Sequence, residues 1–423
     1  MATTTNVIEA LKYSYGVNQV QYIFNEESPT YKLLSKQKKP LGGRGQFLMP
    51  LVVQNAGAFA GIAEGGALPA ALQPDTVEAS FSLQEYVGLY DVSWKLVQDA
   101  RSNKFAFQQA VQMLDDGLRR RVMRNLNGDL IGDGRGALAY LPAADNTSPI
   151  TVNSLPICET GMVCDVMDDT DDDTKLADSV TITGIDVINR TVKTSANPAG
   201  TAAGDYFVIQ DTTDVSISNS LHSHGLRGVI SNANPKTVVG NYGGLSRSTA
   251  GQEFWQSALL GNSGTNKPLS EDILLQAMDL VMEKGGGRLK AWLSNRAILR
   301  RYHEMLAGER YFALSKPGTL SGGIGRADKD PGEMGLSPYE FSGIPWYIDP
   351  FFAANVIVGL DTDHFFLGVG ENDTPRPISE IFDNIPFFRQ TTSATFEVAW
   401  YFQDELLSDN PAAGVQIQDV AES

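Results

Sequence analysis

The sequence predicts an α+β fold in several parts, and three stretches of the chain indicate it. Residues 77–89 alternate apolar and polar side chains, as a half-buried strand does. Residues 102–127 repeat apolar residues at steps of three and four, the pattern of an amphipathic helix. Residues 150–230 carry short Val, Thr and Ile runs between turn residues, as in a small all-β module. At 423 residues the chain exceeds one compact unit, so we expect two or three domains.

Net charge limits the classes of function that the chain can serve. The formal net charge is -17 and the pI is about 4.7. Such an acidic surface repels phosphate groups, which disfavours a dedicated nucleic-acid binder and a protein that binds anionic membranes. The wall of a container for packed DNA is compatible with this charge, because a wall that bound DNA tightly would hinder packaging.

The cysteines and the first residues indicate where the protein is made. The chain has two cysteines, Cys158 and Cys164, and a secreted disulfide scaffold would need more. We therefore favour two free thiols in a reducing cytoplasm over a disulfide bridge. Residues 1–10 have neither a basic start nor an apolar run, and we expect no signal peptide. No stretch approaches the roughly 20 apolar residues that span a membrane. We therefore expect a soluble protein made in the cytoplasm.

The N-terminal part predicts an extended arm. Residues 1–35 mix short apolar and polar groups without a sustained period, as in a segment that a partner surface orders. A basic cluster beside several glycines follows, and it lacks the phosphate-loop pattern. Two interpretations of the cluster stay open: a solvated turn, or a basic patch that pairs with acidic surface on a neighbouring subunit. Its members are Lys36, Lys38, Lys39 and Arg44.

Residues 46–93 predict two strands with a long tip between them. The stretch 47–53 is apolar, and the alternation over 77–89 forms the second strand. Residues 57–69 are small, glycine-rich and weakly polar, which is typical of the tip of a long two-stranded excursion. An isolated hairpin of this length is marginally stable in water, so we expect it to lie on another surface.

The helix over 102–127 has the strongest periodicity in the chain. Ser102 is its expected N-cap, and about 25 residues give a length of roughly 38 Å. The glycines that are expected to end it are Gly128, Gly132, Gly134 and Gly136. Its arginines share the helix with acidic residues, so a salt-bridged or solvated face is favoured over a nucleic-acid site. The run that carries this interpretation is Arg119, Arg120, Arg121 and Arg124.

Further along, two shorter helices and several strands are predicted. Ser270 caps a helix that ends at the glycines 285–287, and Ser294 caps a second helix after a strand over 289–293. Residues 315–335 are glycine-rich and polar, and the remainder of the chain has the pattern of strands.

No motif in the chain predicts catalysis or a cofactor. His222 and His224 supply two ligands for a metal, but no cluster of further ligands accompanies them, so we expect a solvent-facing loop pair. His303 lacks the spacing of a zinc protease, and no nucleophile elbow is present. We therefore predict no enzyme, no resident metal and no cofactor.

One acidic run leaves two interpretations open. Residues 168–173 include five aspartates. A calcium loop that began at Asp169 would need Gly and Glu where Thr174 and Val180 stand. An acidic turn is therefore favoured, with a calcium site as the alternative.

Three stretches of the sequence resemble one known family. The first runs from Ala63–Pro69 (AEGGALP) through alternating strand residues to Val92–Ala100 (VSWKLVQDA). The second is Ala291–Arg296 (AWLSNR), and the third is Gly343–Pro350 (GIPWYIDP). In this order and spacing they resemble the major capsid proteins of tailed double-stranded DNA bacteriophages, the family with the HK-ninety-seven-type capsid fold.

The resemblance implies an architecture with an N-terminal arm, an extended β-hairpin loop, a long spine helix, an axial domain and an inserted all-β module. In that architecture, the loop lies over a neighbouring subunit and the axial tip meets the five-fold or six-fold centre. The implied divisions are 1–40 for the arm, 41–90 for the extended loop, 91–149 for the peripheral domain with its spine helix, 150–228 for the inserted β-module, 229–345 for the axial domain, and 346–423 for strands that return to the peripheral domain.

The resemblance also implies a function and partners. The chain would self-assemble as pentamers and hexamers into an icosahedral head shell in the bacterial host cytoplasm, and would enclose double-stranded DNA without sequence-specific contacts. A separate scaffolding protein, a portal and a cement or decoration protein are the implied partners. Glu64 and the basic cluster are the candidate intersubunit contacts. Some relatives crosslink through a loop lysine and an asparagine, and no such pair is assigned here.

Two features depart from the family, and two other functions stay open. Many members lack a module at 150–228, and no long charged helix precedes the arm, which favours a separate scaffold over a fused one. An encapsulin-like compartment for protein cargo shares the implied fold. A surface β-rich adhesin is a further alternative, although it would need a signal peptide.

Overall fold

The computed structural model describes most of the chain. The described residues are 29–38, 46–54, 56–59, 61–62, 66, 68, 70, 73–93, 104–155, 157–169, 175–210, 222–234, 241–285, 287–313, 339–370, 376–377, 388–389 and 395–422. Their α-helices are Pro29–Leu33 (α1), Lys104–Ile131 (α2), Leu226–Val229 (α3), Glu271–Gly285 (α4) and Arg296–Ala313 (α5).

The strands make three larger sheets and one hairpin, so the predicted α+β class is confirmed. In chain order from β1 to β20 they are Ser35–Lys38, Gln46–Gln54, Asp75–Ser82, Gln84–Ser93, Ala137–Tyr140, Ile150–Thr151, Val163–Met167, Lys175–Asp186, Thr191–Thr194, Tyr206–Ile209, Ala258–Leu260, Ala291–Ser294, Tyr339–Phe341, Ile344–Ile348, Ile357–Leu360, Phe365–Val369, Arg376–Pro377, Phe388–Arg389, Thr395–Ser408 and Gly414–Ile417.

The central sheet is built on the 14-residue strand β19. It pairs antiparallel with β4 from Thr395 to Asp404, and its C-terminal end pairs with β16. Strand β1 then adds in parallel to β16, so residues 35–38 join the same sheet. Helix α2 lies against this sheet, where Trp400 donates a hydrogen bond from Nε1 to Asp115 at 3.1 Å.

A second sheet belongs to the predicted β-module. Its strand order is β5-β10-β7-β8-β9-β6, and it surrounds a separate apolar core that includes Ile150, Val166 and Phe207. The domain boundaries remain predictions, and the pairing adds that β5, which lies before residue 150, belongs to this sheet.

The third sheet has the order β11-β20-β15-β12-β14-β13 and is packed by α4 and α5. Trp292 and Trp346 stack at 6.0 Å between ring centroids, and Tyr302 of α5 stacks on Trp346 at 5.1 Å. The strands after residue 345 are divided between two sheets, because β15 and β20 join this sheet whereas β16 to β19 join the central one.

Helix α2 differs from its prediction at the C-terminal end. It ends at Ile131, directly before Gly132 of the expected glycine run, and so continues four residues beyond 127 and through Gly128. Here the glycine makes room for a neighbour instead of ending the helix, because a Cβ at Gly128 would lie 2.3 Å from Cδ1 of Ile157 in the module. The salt-bridged face is confirmed by Arg119, which pairs with Asp115 at 2.9 Å. The expected cap Ser102 lies outside the described residues.

The caps of the two later helices were predicted with one error. Ser270 caps α4, since its Oγ accepts the Ile273 N–H at 3.4 Å. The cap of α5 is Asn295, whose Oδ1 accepts the Ile298 N–H at 3.0 Å. Ser294 was the wrong choice because it is the last residue of β12, and its Oγ accepts the indole N–H of Trp346 at 2.7 Å.

The two cysteines are free and buried, which confirms the prediction of two thiols. Burial raises the pKa of both thiols to about 12, and the charge of Cys164 adds to the rise at Cys158. Since the thiolate is the reactive form, neither cysteine is poised for chemistry at neutral pH.

The buried side chain of Arg247 forms hydrogen bonds with backbone carbonyl groups of the segment before the third sheet. Arg247 is 2% exposed and donates to carbonyl oxygens, namely Trp255 O from Nε at 2.9 Å and Ala233 O from Nη1 at 2.7 Å. It also donates to Gly228 O and Val229 O. Its loss of hydration lowers the pKa of Arg247 to about 10.

Replacing Arg247 with Met tests this role. The change leaves buried carbonyl groups without donors, so we expect a loss of about 3 kcal/mol or more in unfolding free energy. Urea denaturation of wild type and variant measures the difference. Arg300→Met, at an exposed position of α5, is the matched control. Equal midpoints for the two variants would contradict the assignment.

Candidate assembly surface

The hairpin of β2 and β3 is fixed to the body of the protein at its base. Phe47 and Phe81 are register partners, and both are buried in the largest apolar core. Phe81 meets Tyr242 edge to face at 5.0 Å between ring centroids. The base of the hairpin is therefore as firmly packed as the core itself.

A close backbone approach completes this anchor. Gly243 has a φ of +63°, and a Cβ there would lie 3.1 Å from Cζ of Phe81. Tyr242 donates its hydroxyl to Leu406 O at 2.9 Å, while Trp255 donates its indole N–H to Tyr242 O at 2.9 Å. These contacts connect the hairpin base to β19 in the central sheet.

The outer part of the hairpin shows apolar side chains to solvent. Val52 is 64% exposed, and Phe59 at the tip is fully exposed. Six exposed large apolar side chains on one hairpin are unusual for a protein that works alone. Two strands without a covering layer gain little stability by themselves. The exposed set comprises Leu48, Val52, Val53, Phe59, Ile62 and Leu68.

A second exposed apolar pair lies on β4. Val87 and Leu89 face solvent, whereas Gly88 between them faces α2, since a Cβ at Gly88 would lie 3.0 Å from Leu118 and Val122. Glu85 lies beside the pair and accepts hydrogen bonds from the neighbouring strand β19. One face of the central sheet is thus covered by α2, and the opposite face offers apolar surface with an acidic border.

A buried polar cluster holds β4, β19 and α2 together behind the hairpin. Segment 222–224 is its centre. His222 Nδ1 lies 2.9 Å from Asp129 of α2, and His224 Nδ1 lies 2.8 Å from Glu405 of β19. Tyr86 of β4 donates its hydroxyl to Ser223 at 3.0 Å.

The cluster contains a carboxyl group, that of Asp404, whose pKa is shifted mainly by burial. Asp404 is 2% exposed, and burial raises its pKa well above the ordinary value, with further raising by the charges of Asp129 and Glu405. Burial also raises the pKa of Glu405, while its contacts with His224 oppose the rise. Burial therefore favours the protonated form of Asp404 over a wider pH range than in the unfolded chain.

Replacing Asp404 with Asn tests this protonation. The unfolded chain loses the proton near pH 3.9, roughly, whereas the folded protein keeps it. The stability that Asp404 contributes is therefore complete below that pH and declines as the pH rises toward the raised pKa. In the wild type, the unfolding free energy should fall by about 1.4 kcal/mol for each unit of pH between the unfolded and folded pKa values of Asp404. Because Asn resembles the protonated acid at every pH, we expect Asp404→Asn to remove this fall.

Thermal unfolding at about pH 5 and about pH 8 measures this effect. Asp279→Asn, at an exposed position of α4, is the control. A variant whose unfolding temperature falls between the two pH values as steeply as that of the wild type would refute the assignment.

The predicted contact residues are only partly described. Lys36 lies in β1 opposite Leu367, and its Nζ is 4.4 Å from the centroid of the Tyr31 ring. Lys38 ends the same strand, opposite Val369. Lys39, Arg44 and Glu64 lie outside the described residues, so the grouping of the five candidates stays a prediction.

Two expectations about polar residues change. The prediction that His222 and His224 form a solvent-facing pair is wrong, because His224 is buried and both rings have carboxylate partners. No local pattern marked them, since their partners lie 93 and 181 residues away in sequence. In the acidic run, Asp169 pairs with Arg135 at 2.8 Å, and residues 170–174 lie outside the described residues.

Neither a metal site nor a membrane span was found in the described residues. No three His, Cys, Asp or Glu side chains among them are grouped so as to hold a metal ion. None of the described helices is long and apolar enough to cross a membrane.

Comparison with known proteins gives likenesses in structure only. No family model and no curated protein matches the chain. The capsid asymmetric unit of cyanophage A-1(L) is 16% identical, with 96% of this chain and 95% of that chain covered and a TM-score of 0.49. Gordonia phage Cozz gives 11% identity, 93% and 87% coverage and a TM-score of 0.41. The holo-SrpI encapsulin complex of Synechococcus elongatus PCC 7942 is 10% identical, with 93% of this chain and 87% of that chain covered and a TM-score of 0.41.

Proposed function

We propose that this chain is the major capsid protein of a tailed double-stranded DNA bacteriophage, a shell-building protein and not an enzyme. The observation that carries the proposal is the hairpin of β2 and β3. Its base is packed in the core, and its outer part presents apolar side chains with no cover from the described residues of its own chain. Such a segment gains its stability when a second copy covers it.

The three stretches that resemble the capsid family support this proposal by their places in the fold. The first begins in the sequence between β2 and β3, includes β3 and β4, and stops just before the long helix α2. Ala291–Arg296 is the step from β12 into α5, and Gly343–Pro350 contains β14 of the same sheet. Each stretch therefore lies on the kind of element that the family resemblance implies for it.

Assembly then follows from exchange of extended segments between copies. The hairpin of one copy buries its apolar side chains on the next, and each buried Å² contributes about 25 cal/mol. Pentamers and hexamers close into an icosahedral head shell, assembled in the host cytoplasm and carried in the virion. A separate scaffolding protein, a portal and a cement protein are its partners. The net charge of -17 keeps the wall from binding the enclosed DNA tightly.

Charging the exposed hairpin tests the proposal. Val52→Asp and Phe59→Asp change side chains that the isolated chain leaves in water, so folding should persist. We expect roughly a tenfold or greater loss of closed particles per change, as each removes an intersubunit apolar contact. Sedimentation and electron microscopy of the expressed chain, with and without its scaffold, count the particles.

The control for this experiment is Ile188→Asp, which charges an equally exposed side chain on the β-module. Normal assembly of this control shows that exposed charge alone is tolerated. Normal yields from the hairpin variants, or a stable monomer from the wild type under both conditions, would refute the proposal.

The candidate contact Glu64 is tested by charge reversal. If Glu64 and the basic cluster are intersubunit contacts, Glu64→Lys removes an attraction and adds a repulsion, so we expect fewer or misshapen particles. Glu78→Lys makes the same change at an exposed position of β3 and should assemble normally. Normal-size particles from Glu64→Lys would remove Glu64 from the set of contacts.

A further inference from the structure

Helices α4 and α5 cover different halves of one face of the third sheet. Helix α4 packs on β11 and β20. Tyr302 of α5 stacks on Trp346 of β14 and donates its hydroxyl to Glu340 O of β13 at 2.9 Å. Both helices bury residues in the same apolar core. Strands β15 and β12 lie between β20 and β14, so the two helices stand toward opposite edges of this sheet.

The outer surface of α4 carries two carboxylates that its own chain does not compensate. Asp279 and Glu283 are exposed and lie four residues apart, so they repel each other. Glu283 also stands in the last turn, where the helix dipole favours cations. Lys284 of the same turn donates instead to Ser257 O at 3.3 Å. Neither carboxylate has an ion pair in the part of the chain that the structure describes. We call Asp279 and Glu283 the acidic pair.

The outer surface of α5 carries the opposite charge at the same spacing. Arg296 and Arg300 are exposed and four residues apart, and Arg296 is the first residue of the helix, where the dipole favours anions. Glu304, one turn beyond Arg300, is paired with Arg301. Among the described residues, Arg296 and Arg300 have no ion pair. We call Arg296 and Arg300 the basic pair.

The two pairs match each other in length as well as in sign. Four residues of helix rise by about 6 Å, so two such helices laid side by side bring each carboxylate to a guanidinium. Leu275 is 43% exposed and Met282 is 54% exposed, and both lie with the acidic pair within an arc of about 100° on α4. A helix that docks there covers apolar surface as well as charge.

We propose that α4 of one copy of this chain docks against α5 of a second copy, with the acidic pair set against the basic pair. The two surfaces differ, so the contact runs head to tail, and it closes into a ring when the rotation between copies allows. This inference rests on the proposed shell function and names the surfaces by which neighbouring copies join.

Charge reversal of each pair, separately and together, tests the contact in the full chain. The first variant carries Asp279→Lys with Glu283→Lys, and the second carries Arg296→Glu with Arg300→Glu. Each brings like charges together, so we expect a loss of closed particles of about tenfold or more. The third variant carries all four changes, restores opposite charges, and should assemble to within about threefold of the wild type. Sedimentation and electron microscopy of the chain expressed with its scaffold count the particles.

Co-expression of the first and second variants is an independent measurement, because each supplies the charge that the other lacks. Copies of the two must then alternate around a ring, and only an even number of copies can alternate. We expect six-membered rings in electron micrographs of the mixture, without the five-membered rings that the wild type forms.

The control is Lys193→Glu, which reverses an exposed charge on β9 and should assemble as the wild type does. Normal particle yields from the first or the second variant would overturn the contact and leave the shell function standing. A third variant that has the urea midpoint of the wild type and still fails to assemble would also overturn it. A wild type that stays monomeric with its scaffold would instead refute the shell function on which the contact rests.

Discussion

The long strand β19 is the constraint on which the rest of the structure depends. Its ten residues from Thr395 to Asp404 pair with β4, and the following residues pair with β16, which in turn carries β1. Strand β1, the strand that leaves the hairpin and strand β16 are therefore held by one ladder. Trp400 also fixes α2, through a hydrogen bond to Asp115 and the Arg119 guanidinium 5.0 Å from its ring. A change in the register of β19 would move all of these elements together.

The same convergence explains why polar groups are buried behind the hairpin. Where β19, β4 and α2 meet, the backbone turns of segment 222–224 enter the interior and bring His222 and His224 with them. Carboxylates from two different elements satisfy the rings. Asp404 lies in the same place, and burial raises its pKa because it penalises the charged form. Burying these polar groups costs free energy, because they lose their contacts with water. Their pairing in turn favours a single arrangement of β4, β19 and α2, since another arrangement would leave the buried groups unpaired.

The local patterns of the sequence predicted elements well and long-range partners poorly. The period of α2 and the alternation of β3 are properties of neighbouring residues, and both elements were predicted correctly. Ser294 and Asn295 are equally good caps by residue type, and only the end of β12 decides between them. The carbonyl partners of Arg247 and the carboxylate of His224 come from distant segments that no short window contains. The hairpin was predictable because a glycine-rich apolar tip is itself a local signal.

Two exposed apolar surfaces on one chain have different physical characters, and this difference bears on how each can be used. The hairpin of β2 and β3 is two-stranded, so its outer part obtains little support from its own chain and a partner must supply the missing layer. Covering it releases free energy that is available only on assembly, as a shell that forms from separate copies requires. The tip at Val187 and Ile188 belongs to a six-stranded sheet and is fixed by Asp186 before it meets anything. A preformed surface of this kind can be bound without a rearrangement of the strands that carry it.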